Sequence, residues 1–436
     1  MKIRRSLGIK QKIVYTAIIL VILRVLYSVP VPFVNSKYFE AALASNDSLG
    51  LLNMLTGSGL STLSVMTIGI TPFITASIVV QLLSVVSPRL ARLQHSAYTS
   101  DQKTYRKITY KAGVALAFLE SVFMVCSFGF SGMILEKTVF ARITVALIWT
   151  LGSLASLGAA YYINERILWN GRESGTSLII VMGILAAYPY SVAGILSYAK
   201  QFPLYVAISI LILISALVII LHGFSIYMLK AGKKLPVSYS RKMSNTMVKA
   251  AGQDLTLKML PGTVIPLIFT STVFSFLSVV FYRLPAFSGV FNMSNWFDVY
   301  HPGYSVGIIL YVLLVTGFTY YYNSISSSAE KISEDLKVMG ATVNGYRPGT
   351  ETVMLIRRKT KYMLLIGALM LSFLALIPLF IGAVLHVSGI KFIGSSLLIV
   401  CSVMSEIRAE IASYRLGSIR LRESSPAMFL KNGKTV

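Results

Sequence analysis

The chain of 436 residues is apolar and basic, with 55% hydrophobic residues, 13% charged residues and a formal net charge of +24. Soluble proteins carry about 25% charged residues, so this composition excludes a soluble enzyme or binding module and indicates a protein that crosses a membrane several times. The basic residues lie between the apolar runs, which fits membrane orientation better than nucleic-acid binding. We therefore predict no direct sequence-specific binding of nucleic acid.

Ten apolar runs of about 20 residues, the length that crosses a bilayer, follow one another along the chain. They are predicted at 13–29, 66–86, 108–128, 140–162, 176–198, 204–228, 263–281, 306–322, 362–385 and 392–410. Their division into five and five would permit an inverted repeat.

The second run differs from a plain membrane anchor because a segment of small residues, 51–64, precedes it. This segment contains Gly57 and Gly59, and Pro72 stands near the start of the run itself. Glycine and serine weaken a helix, and proline cannot continue one. Unpaired backbone at membrane depth must be sheltered by protein or water. The sequence therefore predicts half a helix folded into a cavity, followed by a helix that lines the cavity, as in a gated membrane pathway.

Ile70, Ile74 and Ile78 are spaced by four residues and share one face of the second predicted span. Such a row usually serves helix packing or lipid contact. Next to a glycine-rich re-entrant segment, the row has a second interpretation. Its branched apolar side chains would then belong to a ring that closes a pore by excluding water. Periodicity alone leaves both open.

The loops between the spans carry very unequal positive charge. Assigned alternately to the two membrane faces, they hold 33 Lys and Arg on the face that includes both termini and six on the other. The positive-inside rule places both termini in the cytoplasm. The two longest polar stretches, about 230–261 and 326–361, lie on that face and exceed a minimal connection. They predict a docking surface for a soluble partner, although orientation alone would also explain basic loops.

Few charged groups lie within the predicted spans, and a charge there is costly unless sheltered. Arg24 could snorkel to the interface, Glu120 should face other helices or water, and Glu406 could pair near the inner end of the last span. No metal-ligand spacing, nucleophile motif or nucleotide-binding loop occurs, and Cys126 and Cys401 fall in apolar runs. We predict no catalytic residue, no metal site and no cofactor.

Several motifs resemble the SecY family of protein-conducting channel subunits. The strongest is GITPFITASIVVQLL at 69–83, directly after the glycine-containing segment. Further matches occur in family order: KKLPVSYSRK at 233–242, TVIPLIFTS at 263–271, EKISEDLKVMGATVNGYRPGT at 330–350 and GSSLLIV at 394–400.

The resemblance implies an all-α membrane protein with ten transmembrane helices in two pseudo-symmetric five-helix halves, residues 1–200 and 201–414, followed by a cytoplasmic tail at 415–436. A re-entrant plug helix at about 51–64 would close the pore, with the named plug residues Leu51, Asn53, Met54, Gly57, Gly59 and Leu60. The pore ring would consist of Ile70, Ile74, Ile180, Ile265 and Ile399. Thr176 stands where the family commonly has another branched apolar residue. The lateral gate would use Thr75, Glu120 and, as a looser match, Thr272.

The same resemblance implies a translocase subunit in the cytoplasmic membrane that passes unfolded, signal-bearing polypeptides and releases apolar segments sideways into lipid. Its expected partners are small membrane subunits like SecE and SecG, a SecA-type motor ATPase or the ribosome, precursor proteins and membrane lipids. The docking residues would be Lys233, Lys234, Arg241, Lys242, Arg347 and Arg357.

The chain departs from the family pattern in three loops, including ILWNGRESG after the fourth run and IGSS before the last span. These departures favour a diverged member, and an accessory channel dedicated to few substrates is one alternative. A secondary transporter of a small solute would instead require polar contacts at mid-membrane. An insertase-like scaffold would require an open hydrophilic groove without a plug.

Overall fold

The computed structural model describes most of the chain, with several gaps. The described residues are 9–37, 53, 56–57, 59–95, 99–128, 133–135, 138–168, 174–239, 255–260, 264–281, 290, 293–297, 302–326, 329–338, 340–347, 349–385, 388–391 and 393–423.

The fold is mostly helical. The helices of the first half are α1 Ile9–Leu26, α2 Gly59–Thr62, α3 Thr71–Val86, α4 Pro88–His95, α5 Thr99–Phe128, α6 Val139–Tyr162 and α7 Ser174–Ala199. The helices of the second half are α8 Leu204–Lys230, α9 Val264–Phe281, α10 Val306–Ser326, α11 Ala329–Val338, α12 Thr350–Val384, α13 Ser388–Lys391 and α14 Ile393–Glu423. A π-helical turn, Ile163–Leu168, follows α6, and short 3-10 turns lie at Met293–Phe297 and Pro302–Ser305.

Six of the described helices are long and apolar enough to cross a bilayer, and the count rises to seven if α3 and α4, which meet at a bend of 116°, form one broken span. The other predicted spans fall on α1, α9 and α14. Helix α1 carries Lys10, Lys12 and Arg24, and the first 18 residues of α14 include three charged groups. These charges lower the apolar character of α1 and α14, and the apolar helix described within α9, Ile265–Phe274, is shorter than a span. The structure therefore supports a multi-pass membrane protein without by itself giving ten spans.

Four short strands add to the predicted all-helical fold. Strand β1 (Gly232–Leu235) pairs antiparallel with β3 (Leu255–Lys258), and β2 (Val237–Tyr239) pairs antiparallel with β4 (Ala341–Val343). Together with α11 they cover a small apolar core that includes Ile356 of α12. The two long basic loops are thus joined into one folded unit, because β2 belongs to the first loop and β4 to the second.

The largest apolar core collects buried side chains from both halves. It includes residues of α1, α3, α6 and α7 from the first half and of α8, α9, α10, α12 and α14 from the second. A second core, around Leu60, Met133 and Trp149, lies beneath the segment that precedes α3. The start of α3 is therefore held between the two cores.

Candidate functional site

The five isoleucines that the sequence predicts as a ring come from four helices. Ile70 caps the N-terminus of α3, Ile74 follows one turn later, Ile180 lies on α7, Ile265 on α9 and Ile399 on α14. Four of them are buried in the large apolar core, and Ile265 is half-buried and packs against the same core. All five thus belong to or pack against the large apolar core, which also holds many other buried side chains from both halves; their arrangement as a ring stays a prediction.

The first turn of α3 determines the orientation of the two isoleucines at its start. Pro72 occupies the first turn of the helix, where its missing N–H costs nothing. The preceding Gly69 has φ +56, and its carbonyl accepts a hydrogen bond of 3.0 Å from Ser153 of α6. The helix therefore begins abruptly at this point, since the chain turns just before it and α6 fixes the turn.

Thr176 lies one turn before Ile180 and is buried, 5% exposed. Its Oγ1 atom has no hydrogen-bond partner in the described part of the chain. A branched side chain therefore fills this position, as in the rest of the cluster, but it carries a polar atom that the cluster does not satisfy.

The predicted plug is described in part: Asn53, Gly57, Gly59 and Leu60 lie within the described residues, and Leu51 and Met54 lie outside them. The Asn53 side chain accepts a hydrogen bond of 2.9 Å from the Ser61 N–H, at the short helix α2. Leu60 is buried in the second apolar core. This part of the segment is therefore folded upon itself and packed against protein.

Gly57 touches the helix that carries Ile180. A Cβ atom at Gly57 would lie 3.0 Å from the Cα atom of Gly183 on α7, and the φ angle of Gly57 is +68°. Both features require glycine here. The Gly57 carbonyl also accepts a hydrogen bond of 3.0 Å from Arg24 Nη1. The segment that the sequence predicts as a stopper thus lies directly against a helix of the isoleucine cluster.

Two of the three predicted gate residues meet. The Glu120 carboxyl group on α5 lies near the Thr75 and Thr71 hydroxyl groups on α3, which donate to the carbonyls of Thr71 and Ile68. The Thr272 hydroxyl donates to the Ile268 carbonyl at 2.9 Å within α9. Glu120, which the sequence expects to face other helices, therefore faces α3.

Sequence reasoning did not predict a small, mostly apolar cleft between α3, α9 and α10. Its lining includes Ile78 and Gln81 of α3, Ile265 and Phe269 of α9, and Phe318 of α10. No motif marks such a cleft, because its residues come from three distant stretches of the chain. It separates α3 from α9 and α10 at a point beside the isoleucine cluster.

The predicted docking residues that the structure describes are exposed. Lys233 and Lys234 lie on β1, Arg347 follows β4, and Arg357 lies on α12. Arg241 and Lys242 lie outside the described residues. Arg347 and the strands belong to the folded unit that joins both loops. They therefore present positive charge from a common framework.

A hydrogen bond from a backbone N–H and an ion pair stabilise this basic surface. The Arg347 N–H donates to Glu351 Oε2 at 3.1 Å, and Arg357 forms an ion pair with Glu330. The pKa of Glu330 is lowered by a hydrogen bond from its own backbone N–H and then by Arg357. Both partners of the ion pair are more than half exposed, so it contributes at most about 1 kcal/mol.

Sequence reasoning also did not predict a polar network between α5, the π-helical turn and the start of α7. Arg106 Nε of α5 lies 3.1 Å from Glu165 Oε1 of the π-helical turn, an ion pair without an aligned hydrogen bond. The neighbouring Asn164 donates to the Tyr110 hydroxyl at 3.2 Å and accepts from the Gly175 N–H at 2.7 Å. Of this network only the backbone of Gly175 lies in the unusual stretch ILWNGRESG, 167–175, so that stretch did not point to it. The network links α5 to the start of α7.

Within the described residues, no group of three or more His, Cys, Asp or Glu side chains is arranged to hold a metal ion. The site is built of apolar side chains, with polar groups at its margins.

A model of the SecY family matches residues 64–408 of this chain. The chain is 30% identical over 411 residues to the protein translocase subunit SecY of Staphylococcus epidermidis, which covers 91% of this chain and 92% of the relative. It is 28% identical over 410 residues to the same subunit of Staphylococcus aureus, which covers 92% and 93%.

Solved structures resemble the fold at lower identity. One is of a protein-conducting channel, with a TM-score of 0.65, 15% identity and coverage of 97% of this chain and 96% of the other. Another is of Sec61 in a canine ribosome–channel complex from the endoplasmic reticulum, with a TM-score of 0.64, 16% identity and the same coverage. These likenesses concern the fold alone. The family model and the relatives, however, match along most of the chain, and the chain belongs to the SecY family.

Proposed function

We propose that this protein is the central pore-forming subunit of a protein translocase. In this role it passes unfolded, signal-bearing polypeptides across the cytoplasmic membrane and releases apolar segments sideways into lipid. The observation that supports the proposal is that the five isoleucines of α3, α7, α9 and α14 all belong to or pack against the large apolar core, with Gly57 packed against α7. Membership of the SecY family supports the same function.

The proposed arrangement has ten spans, with α1, α9 and α14 crossing the membrane in addition to the seven candidates. Residues 1–200 and 201–414 form the two halves, and the tail at 415–436 is cytoplasmic. The distribution of Lys and Arg supports cytoplasmic termini.

Ile70, Ile74, Ile180, Ile265 and Ile399 form the constriction in this proposal. Isoleucine offers no hydrogen bonds, so chains of diverse sequence do not adhere to it, and an empty apolar constriction excludes water and ions. The plug, about residues 51–64, closes the pore from outside. Because a short helix with two glycines is weakly stable, it can leave at a small cost.

The lateral gate lies between α3 and α5 on one side and α9 and α10 on the other. Helix α3 packs extensively against α5 and more sparsely against α9, and the apolar cleft lies along the sparser contact. The sparser contact is the easier one to open. Thr75 and Glu120 keep α3 and α5 together, and Thr272 faces the gate from α9. An apolar signal segment gains free energy on entering lipid there, which shifts the channel toward its open state.

The exposed basic unit around β1 and β4 docks the cytoplasmic partner that drives transport, a SecA-type motor or the ribosome. Lys233, Lys234, Arg347 and Arg357 carry this contact, with Arg241 and Lys242 in support. A solved structure of similar fold is of Sec61 in a ribosome–channel complex. Small subunits like SecE and SecG complete the complex, and the channel itself performs no chemical step.

The test is the ion conductance of the purified complex in planar bilayers, with and without residues 51–64. A channel closed by this segment conducts more ions when the segment is deleted. A solute transporter, or a scaffold without a pore, shows no rise, and that result would overturn the proposal. Matched elution of both proteins in size-exclusion chromatography shows that the shortened chain is folded.

A further inference from the structure

We propose that Arg24 is a positioning residue that latches the plug segment in the closed channel. The inference rests on the proposed function. It assigns a role to the charge of Arg24, which the sequence explains only as a side chain that snorkels to the interface. Arg24 lies in the last turn of α1 and is half-buried. Its Nη1 atom donates a hydrogen bond of 3.0 Å to the carbonyl of Gly57, 33 residues further along the chain.

Gly57 is the point at which the plug segment contacts α7, so this hydrogen bond acts where the segment is held in place. Gly57 packs against the backbone of Gly183, so that a Cβ atom would lie 3.0 Å from the Gly183 Cα atom. Its φ angle of +68° lies in the left-handed region that favours glycine. Arg24 therefore holds the segment at its point of contact with α7, the helix that also carries Ile180.

The other contacts of the segment divide it into a fixed base and a seated tip. At the base, the Val31 N–H donates to the Leu63 carbonyl at 3.1 Å, and the Val65 N–H donates to the Val29 carbonyl at 2.9 Å. At the tip, the Ser61 N–H donates to Asn53 Oδ1, Leu60 packs in the second apolar core, and Thr67 Oγ1 donates to the Gly59 carbonyl at 3.2 Å. Arg24 therefore shares the seating of the tip with the packing of Leu60, and loss of its hydrogen bond shifts the balance toward release.

The chemistry of arginine suits a reversible latch. A guanidinium group near the end of a span is sheltered while it binds a carbonyl, and its several N–H donors can bind water instead when the pore opens. The latch therefore breaks and re-forms without leaving a charge in contact with lipid.

The first experiment measures plug seating directly. In a chain with Cys126→Ser and Cys401→Ala, a single Thr56→Cys substitution reports on the segment, because Thr56 is 1% exposed. A membrane-impermeant maleimide is added from outside, and its labelling rate is compared in the presence and absence of Arg24→Met. We expect Arg24→Met to raise the rate about tenfold, the size of effect that follows from losing a hydrogen bond with a charged donor. Arg24→Lys, which keeps one charged donor, should give an intermediate rate.

Two controls make the result specific. Ser28→Ala alters the same end of α1, where the Ser28 hydroxyl only contacts the Arg24 carbonyl at 3.4 Å, and it should leave the rate unchanged. A Ser372→Cys reporter, buried in the middle of the predicted span of α12, should remain unlabelled with Arg24→Met. Equal labelling of Thr56→Cys with arginine or methionine at position 24 overturns the latch. Labelling that rises at both reporters means general loosening and overturns it as well.

Ion conductance separates this inference from the proposed function. If deletion of residues 51–64 raises conductance but Arg24→Met does not, the channel proposal stands and the latch is wrong. If neither change raises conductance, the channel proposal itself fails. The latch predicts that both raise it, the deletion by more.

Discussion

At the scale of single residues, a buried threonine that lies one turn before Ile180 on α7 has an unsatisfied hydroxyl. Thr176 is 5% exposed, and its Oγ1 atom has no hydrogen-bond partner among the described residues. Most buried threonines of the spans behave differently. Thr270 is fully buried, and its hydroxyl donates to the Pro266 carbonyl one turn earlier at 2.9 Å. Burying a hydroxyl without a partner costs free energy that a methyl group of the same shape would not.

We predict that Thr176→Val raises the free energy of unfolding by about 1 kcal/mol, because it removes an unsatisfied buried hydroxyl and keeps the shape. Thr270→Val is the matched control, and it should lower stability or leave it unchanged, because it removes a hydroxyl that has a partner. Thermal unfolding of the detergent-solubilised protein measures both. A loss of stability in Thr176→Val would mean that this hydroxyl has a partner in the membrane.

Glycine also permits the close approach between the loop before α3 and helix α6. A Cβ atom at Gly152 would lie 1.9 Å from the Val65 carbonyl oxygen, whereas a Cβ atom at Gly158, two turns later on the same helix, would meet nothing within 4 Å. The contact at Gly152 is to backbone, which cannot move aside as a side chain can. Ser153, the next residue, donates to the Gly69 carbonyl, so this face of α6 fixes the loop that aims Ile70.

Gly152→Ala should therefore destabilise the protein by about 2 to 3 kcal/mol, as overpacking at a rigid contact does. Gly158→Ala should be neutral or slightly stabilising, since alanine favours helix more than glycine. The difference in melting temperature between the two variants is the measurement. Equal melting temperatures would show that the loop before α3 yields easily and does not hold Ile70 in place.

At the scale of helices, the joint between α5, the π-helical turn and α7 holds the first half together. Tyr110 of α5 stacks on Phe73 of α3 with ring centroids 4.8 Å apart, and its hydroxyl accepts a hydrogen bond from Asn164. Asn164 in turn accepts a bond from the Gly175 N–H at the start of α7. The π-helical turn, Ile163–Leu168, thus carries the one amide that reaches both helices.

We predict that Asn164→Ala lowers the free energy of unfolding by about 2 kcal/mol, because two hydrogen bonds are lost and the Gly175 N–H remains buried without a partner. Asn164→Asp keeps the acceptor for that N–H and should cost about half as much. Thermal unfolding again provides the measurement. If both variants lose the same stability, the bond to Gly175 is not the important one.

The helices could be predicted more fully than their contacts. A run of about 20 apolar residues marks a membrane helix because the bilayer fixes its length, and the six helices that pass the length and hydropathy criteria each overlap a predicted run. The strands were missed because three or four residues, such as those of β1, are too few to show an alternating pattern. Contacts such as that of Arg24 with Gly57 join residues 33 positions apart. No periodicity in the sequence encodes them.

The candidate site shows the same division. The resemblance of GITPFITASIVVQLL and of the later motifs to the SecY family singled out five isoleucines that lie far apart in the chain, and all five belong to or pack against the large apolar core. The polar network of Asn164 joins residues that lie in none of those motifs. Such residues can be assigned only from their three-dimensional contacts.

At the scale of the whole molecule, one long helix runs from the basic unit into the large apolar core. Helix α12 is 35 residues long and continues from the basic unit, where Ile356 is buried, into the large apolar core, where Leu371 is buried. In the channel that we propose, a force applied to the basic unit by a docked partner acts on the second half through this helix. The proposal thereby connects docking with opening of the channel.

Arg347 is the residue at which this connection is best tested. It is exposed beside β4, and its N–H donates to Glu351 in the first turn of α12. We predict that Arg347→Glu reduces motor-driven transport of a precursor into membrane vesicles by about 100-fold or more. The substitution replaces an attractive charge with a repulsive one at the partner contact, and removing one member of an interfacial charge pair alone costs about 2 to 5 kcal/mol.

The control is Arg358→Glu, which makes the same change of charge on the exposed surface of α12 but outside the predicted docking residues. It should retain most of the transport, because net charge alone does not create the contact. Both variants should keep the melting temperature of the unmodified protein, since the Arg347 contact to Glu351 uses its backbone N–H. Equal transport by the two variants, whether both high or both low, would show that Arg347 has no specific place in docking.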